Sequence, residues 1–139
     1  MTAVSGEFRR EIEAIGEIFA LLETFSDGQK IDEKTAFCIN LVVEELFTNM
    51  VRHNEGGGDR ITVSIERQDN QLHLELIDTD VEPFDPKTAE VPRVEAGIDE
   101  RRPGGLGMYL VRKMVDDLDY AYESESRQMR VTVTKTLEN

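Results

Sequence analysis

Residues 42–53 read VVEELFTNMVRH, and the fold turns on whether their polar residues form a solvated helix face or one wall of a site. At about 100° per residue, a helix gathers Ile39, Val42, Val43, Leu46, Phe47 and Met50 into one wide apolar stripe. Glu44, Thr48 and Arg52 fall on the opposite side. Glu45, Asn49 and His53 recur every fourth residue, each step advancing about 40°, so they run along the margin of the stripe and drift toward it. Polar groups at such a margin are semi-buried and need partners. Two readings fit them equally: a row satisfied by neighbouring strands, or the wall of a pocket.

Outward from this segment the chain divides into further elements. The second helix begins near Asp32, with acidic residues in its first turn, and ends at His53 or Asn54 before Gly56-Gly57-Gly58. Ahead of it, Phe8, Ile12, Ile15, Ile18, Phe19, Leu22 and Phe25 recur at helical spacing and predict a first helix over residues 8–25, closed by the breakers Ser26, Asp27 and Gly28. After it, Ile61, Val63 and Ile65, then Leu72, Leu74 and Leu76, alternate with polar residues about a turn at Asp69-Asn70, the pattern of a hairpin with one apolar face. Residues 81–105 hold all four prolines and no periodicity, and a loop of that length in a small domain is usually functional, often a lid. A third helix over residues 106–118 and a closing hairpin over residues 118–137 complete the chain. One-faced antiparallel strands need helices on their apolar side. The expected fold is therefore α+β: a two-layer sandwich of a mostly antiparallel sheet of about four strands, covered on one face by three helices. MTAVSGE offers at most a stub of a fifth strand.

The 139 residues suit one domain, 1–139, with a single core. With 29 acidic against 16 basic residues, the net charge of -13 argues against a nucleic-acid or anionic-membrane surface. It also means that a bound phosphate needs local backbone amides, a metal ion or placed cations. No apolar run approaches the roughly 20 residues of a membrane span, and no signal peptide opens the chain, so a cytoplasmic location is expected. Cys38 is the only cysteine, which excludes an intramolecular disulfide; within FCINLVVEEL it reads as a buried small hydrophobe.

Two further features accompany the helix row. Asp78 follows Leu74, Leu76 and Ile77, so a carboxylate emerges as a strand leaves the core, where it either caps a turn or accepts a hydrogen bond from a ligand amine. Gly104, Gly105 and Gly107 lead directly into a helix. They form either a flexible junction or a place where backbone N–H groups and the helix dipole receive phosphate. In this order the three describe a nucleotide site.

The same residues carry a resemblance. ELFTNMVRH fits the pattern E-x-x-x-N-x-x-x-H, DTDVEPFDP resembles a D-x-G box followed by P-F-D-P, and RRPGGLGMYLVRKMVD resembles a glycine box with its helix. Over roughly residues 8–136 the chain resembles the GHKL ATPase superfamily with its Bergerat fold, and within it the small anti-sigma-factor serine/threonine kinases. That resemblance implies ATP and Mg²⁺ as ligands, Glu45 as the base that activates a hydroxyl, Asn49 as the Mg²⁺ ligand and Asp78 as the adenine contact. It further implies Asp80 and Phe84 of the first glycine box, and Gly104, Gly105, Leu106, Gly107 and Met108 of the second, as nucleotide-lining residues, with His53 structural beside them. Arg101, Arg102 and Arg112 are the nearest cations. The implied partner is a STAS-domain anti-anti-sigma protein that competes with a sigma factor or other client, in a family that often forms homodimers. The alternative is a non-catalytic module that keeps the scaffold only to bind such a partner. The chain departs from the pattern where Asp80 stands in place of the glycine of D-x-G, and at its N-terminus, where the family usually opens with a strand.

Overall fold

A computed structural model describes residues 2–53, 58–81 and 105–137, including the side chains of all of these except residues 2, 53 and 105–108. The described elements are β1 (Thr2–Arg9), a 3₁₀ turn (Ile12–Ala14), α1 (Ile15–Gln29), α2 (Glu33–His53), β2 (Arg60–Gln68), β3 (Gln71–Asp78), α3 (Gly105–Met114), β4 (Asp117–Glu123) and β5 (Gln128–Thr136). The strands form one five-stranded sheet in the order β1-β2-β3-β5-β4, every neighbouring pair antiparallel. The α+β sandwich with three helices is as the periodicities predict.

Cross-strand register explains the core. Val4, Ile65, Leu74, Val133 and Leu118 stand side by side across the sheet, and the next inward row runs Gly6, Val63, Leu76, Val131 and Tyr120. Against these rows pack Ile18, Leu22 and Phe25 of α1, Val42, Val43, Leu46, Phe47 and Met50 of α2, and Val111 of α3. Each such side chain contributes roughly 1.5–3 kcal/mol of burial.

Three boundaries differ from the sequence expectation. The N-terminus is a full eight-residue strand, and Phe8 belongs to it rather than to α1. Its ring folds back over Gly6, where an added Cβ would meet ring carbons at 3.0–3.1 Å, so the strand fills its own gap at the glycine and buries the aromatic. Ser26, Asp27 and Gly28 do not break α1; the helix runs on to Gln29. It stops because Lys30 turns left-handed (φ 55), with Ile31 N–H bonding Ser26 O at 2.9 Å and Lys30 N–H bonding Asp27 O at 3.4 Å, a Schellman closure. The third helix ends at Met114 and not at Leu118. Lys135 Nζ donates to the Met114 carbonyl at 2.9 Å, and Asp117 and Leu118 pass into β4. No helix among the described residues is long and apolar enough to cross a membrane.

Candidate functional site

The direction of α2 is fixed by contacts at its two ends. Near its start, Cys38 Sγ approaches Met114 O of α3 at 4.0 Å; near its end, the Met50 carbonyl accepts from Arg10 Nη1 at 3.1 Å. The same guanidinium pairs with Asp78 Oδ1 at the end of β3. Asn49, one residue before Met50, is therefore at the Asp78 end of the molecule, and the C-terminal end of α3 is at the other. Asp32 starts the helix by accepting from Thr35 N–H at 3.1 Å.

Along the row, Asn49 is only 5% exposed, and among the described residues its side-chain amide has no hydrogen-bond partner. A buried amide without a partner carries a desolvation cost of about 1–3 kcal/mol, which a ligand or cation removes. Its oxygen is a hard donor of the kind that Mg²⁺ takes, so the residue present fits a Mg²⁺ site. Glu45, one turn earlier, is half-buried. Burial pushes its carboxyl above the ordinary glutamate value, with Glu44 adding to the rise and Arg52 opposing it. A carboxylate raised in this way is a better proton acceptor near neutral pH. The backbone of His53 ends α2, while its side chain lies outside the described residues.

Asp78 has no solvent exposure. In register it completes an inward row with Phe8, Ile61, Met129 and Tyr122, an apolar setting in which a carboxylate needs compensation. Arg10 and the Thr79 N–H, at 3.0 Å, supply it at Oδ1. Arg10 Nε in turn donates to Gly58 O at 2.7 Å. A hollow of about 460 Å³, lined by Arg9, Arg10, Glu11, Gly58, Asp59 and Arg60, adjoins this network.

The turn after Asp78 is tied on both sides. Thr79 O accepts from Gly58 N–H at 2.8 Å, and Val81 N–H donates to Arg127 O at 3.1 Å. Val81 O accepts from the Tyr122 hydroxyl at 2.7 Å. Between them Asp80 is exposed and left-handed, φ 56, so it takes the conformation for which a glycine is the usual choice.

Gly105, Leu106, Gly107 and Met108 form the first turn of α3, their side chains outside the described residues. With Met114 pinned at the Lys135 end, opposite Asp78, the Gly105 end of α3 is the one that can face the Asn49 side. Phe84, Gly104, Arg101, Arg102 and most of the expected lid lie outside the described residues. Arg112 is exposed on α3. Among the described residues, the cation that pairs with Asp78 is Arg10, which sequence reading passed over; its only signal was an Arg9-Arg10 doublet after Phe8.

The family model of the histidine kinase-like ATPase domain matches residues 8–135. Among solved structures, the whole chain aligns with the RsbU and RsbW domains of Rv1364c from Mycobacterium tuberculosis at a TM-score of 0.69 and 16% identity, spanning 33% of that chain. It also aligns with the SiaB-SiaC complex from Pseudomonas aeruginosa, TM-score 0.60 and 17% identity, over 96% of this chain and 89% of that one. At such identities the likeness is one of fold. No curated protein matches the sequence.

Proposed function

The chain belongs to the histidine kinase-like ATPase domain family, and from that premise we propose that it is an ATP-dependent protein serine/threonine kinase acting in a partner switch. The observation that carries the reading is Asn49: a buried amide with no partner among the described residues, one helical turn from a carboxylate of raised pKa. A pure docking scaffold gains nothing from either. Asn49 would hold Mg²⁺ through its amide oxygen, and Asp78 would accept from the adenine amine. The first turn of α3 would offer N–H groups to the phosphates.

When bound, Mg²⁺ neutralises phosphate charge and orients the γ-phosphoryl group. Glu45 accepts the proton of a serine or threonine hydroxyl on the partner as its oxygen bonds to the γ-phosphorus and the bond to ADP breaks. The partner proposed is a STAS-domain anti-anti-sigma protein, released once phosphorylated, with a sigma factor or similar client as its competitor. A structural neighbour solved as a two-protein complex, SiaB with SiaC, supports a protein partner. The non-catalytic alternative is favoured by Asp80, which puts a Cβ and a negative charge where the D-x-G pattern has glycine.

Calorimetry separates the two readings. The wild-type chain is expected to bind Mg-ATP in the micromolar range or weaker, and Asn49→Ala to lose about tenfold or more of that affinity. No heat from either protein overturns the enzymatic reading. Phosphoryl transfer to a cognate STAS protein is expected to fall by about 10²–10⁴-fold in Glu45→Gln; unchanged transfer removes Glu45 from the mechanism.

A further inference from the structure

Arg10 makes three contacts on three different parts of the chain. Nε donates to Gly58 O at 2.7 Å, Nη1 to Met50 O at 3.1 Å, and Nη2 pairs with Asp78 Oδ1. Its side chain is 10% exposed and that of Asp78 0%. Its main chain is held as well, Arg10 N–H donating to Asp59 O at 2.9 Å. An arginine so placed is not a mobile surface charge that has strayed onto a carboxylate. Its planar fork uses three donors in fixed directions, and two of the acceptors are main-chain carbonyls that cannot turn away.

We propose that Arg10 is a positioning residue for base recognition: it fixes the carboxylate of Asp78 relative to the turn of α2 that carries Asn49. This rests on the nucleotide reading above. Asp78 stands in an inward row of apolar neighbours, where an unpaired carboxylate would rotate toward water or take up a proton. Arg10 and the Thr79 N–H hold Oδ1 and so set the plane of the carboxylate. Because the same guanidinium holds Met50 O, the residue after Asn49, the spacing between base contact and metal ligand is set by one rigid side chain. An ionised, oriented carboxylate accepts from the exocyclic amine of adenine. It repels the carbonyl oxygen that guanine presents at the equivalent place. The preference for ATP over GTP is thus the quantity that Arg10 controls.

The test measures Mg-ATP and Mg-GTP affinities by calorimetry for the wild-type chain, Arg10→Lys and Arg10→Gln. The ratio of the two affinities is read because partial unfolding lowers both equally and leaves it unchanged. The wild type is expected to prefer ATP by about tenfold or more. Arg10→Lys, which keeps the charge but loses the fork, is expected to retain part of that preference, and Arg10→Gln to lose most of it. A preference within twofold of wild type in both variants overturns the inference and leaves the nucleotide reading standing. Tighter ATP binding in the variants also overturns it, by showing that Arg10 competes for Asp78. A wild type that binds neither nucleotide overturns the reading and the inference together. Should both variants fail to fold, the Arg10 Nε–H resonance of the wild type, followed by NMR, is expected to shift with Mg-ATP and not with Mg-GTP; equal responses overturn the inference.

Discussion

At Asp80 the main chain turns left-handed in a residue that carries a Cβ. The conformation survives because its neighbours are tied down, Thr79 to Gly58 and Val81 to Arg127 and Tyr122, and because aspartate tolerates this region better than most residues. Restoring glycine removes the steric cost. Asp80→Gly is expected to gain up to about 1 kcal/mol in urea unfolding and to bind Mg-ATP more tightly; a less stable, weaker-binding variant would show that the aspartate side chain is itself needed. Gly58 illustrates the opposite constraint: a Cβ there would come within 2.5 Å of Thr79 Oγ1. The half-buried and buried places of Glu45 and Asn49 were legible from a helical wheel, as was the place of Asp78 at the end of an alternating strand. That Asp78 meets Arg10, 68 residues away in sequence, was not, because no local pattern reports a long-range ion pair.

Individual elements obey local signals where their ends are capped by their own residues. α2 begins where the acidic first turn predicts, with Asp32 accepting from Thr35. Hydrogen bonds from Thr35, side chain first and backbone next, hold the Asp32 carboxyl below its ordinary value. A depressed folded-state value contributes stability above the unfolded-state value, near 4, and that stability is lost as pH falls through the folded-state value. Asn caps a helix about as well as Asp, so Asp32→Asn isolates the charge. Its melting temperature is expected to lie below wild type at pH 7, with the gap closing by pH 2–3; a gap that persists in acid would assign it to geometry. Ends set from a distance were not legible. α3 stops at a carbonyl capped by Lys135 of β5, and α1 stops at a lysine in a conformation usually left to glycine. Cys38, read as a small hydrophobe, is buried. Burial raises its thiol, Asp116 adds to the rise and Lys135 opposes it, an inert rather than a reactive setting.

For the whole molecule the sheet is what gathers these pieces. Its order places β1 at one edge beside β2 although two helices separate them in sequence. β1 is nonetheless part of the core, because Phe8 is 8% exposed and pairs with Ile61 in the row that contains Asp78. Phe8→Ala is expected to cost about 3–5 kcal/mol in chemical unfolding. A loss below about 1 kcal/mol would make β1 an ornament of the edge. The sequence by itself determined the layers, the apolar faces of β2, β3 and β5 and the marginal place of Glu45 and Asn49 on α2, because burial on one side imposes periods of two and 3.6 that survive in the order of residues. Only the tertiary structure decided that residues 2–9 form an edge strand of the sheet, and that Arg10 joins Asp78 to the turn beyond Asn49. Those depend on strand register and on a side chain reaching across three segments, and neither leaves a period in the chain.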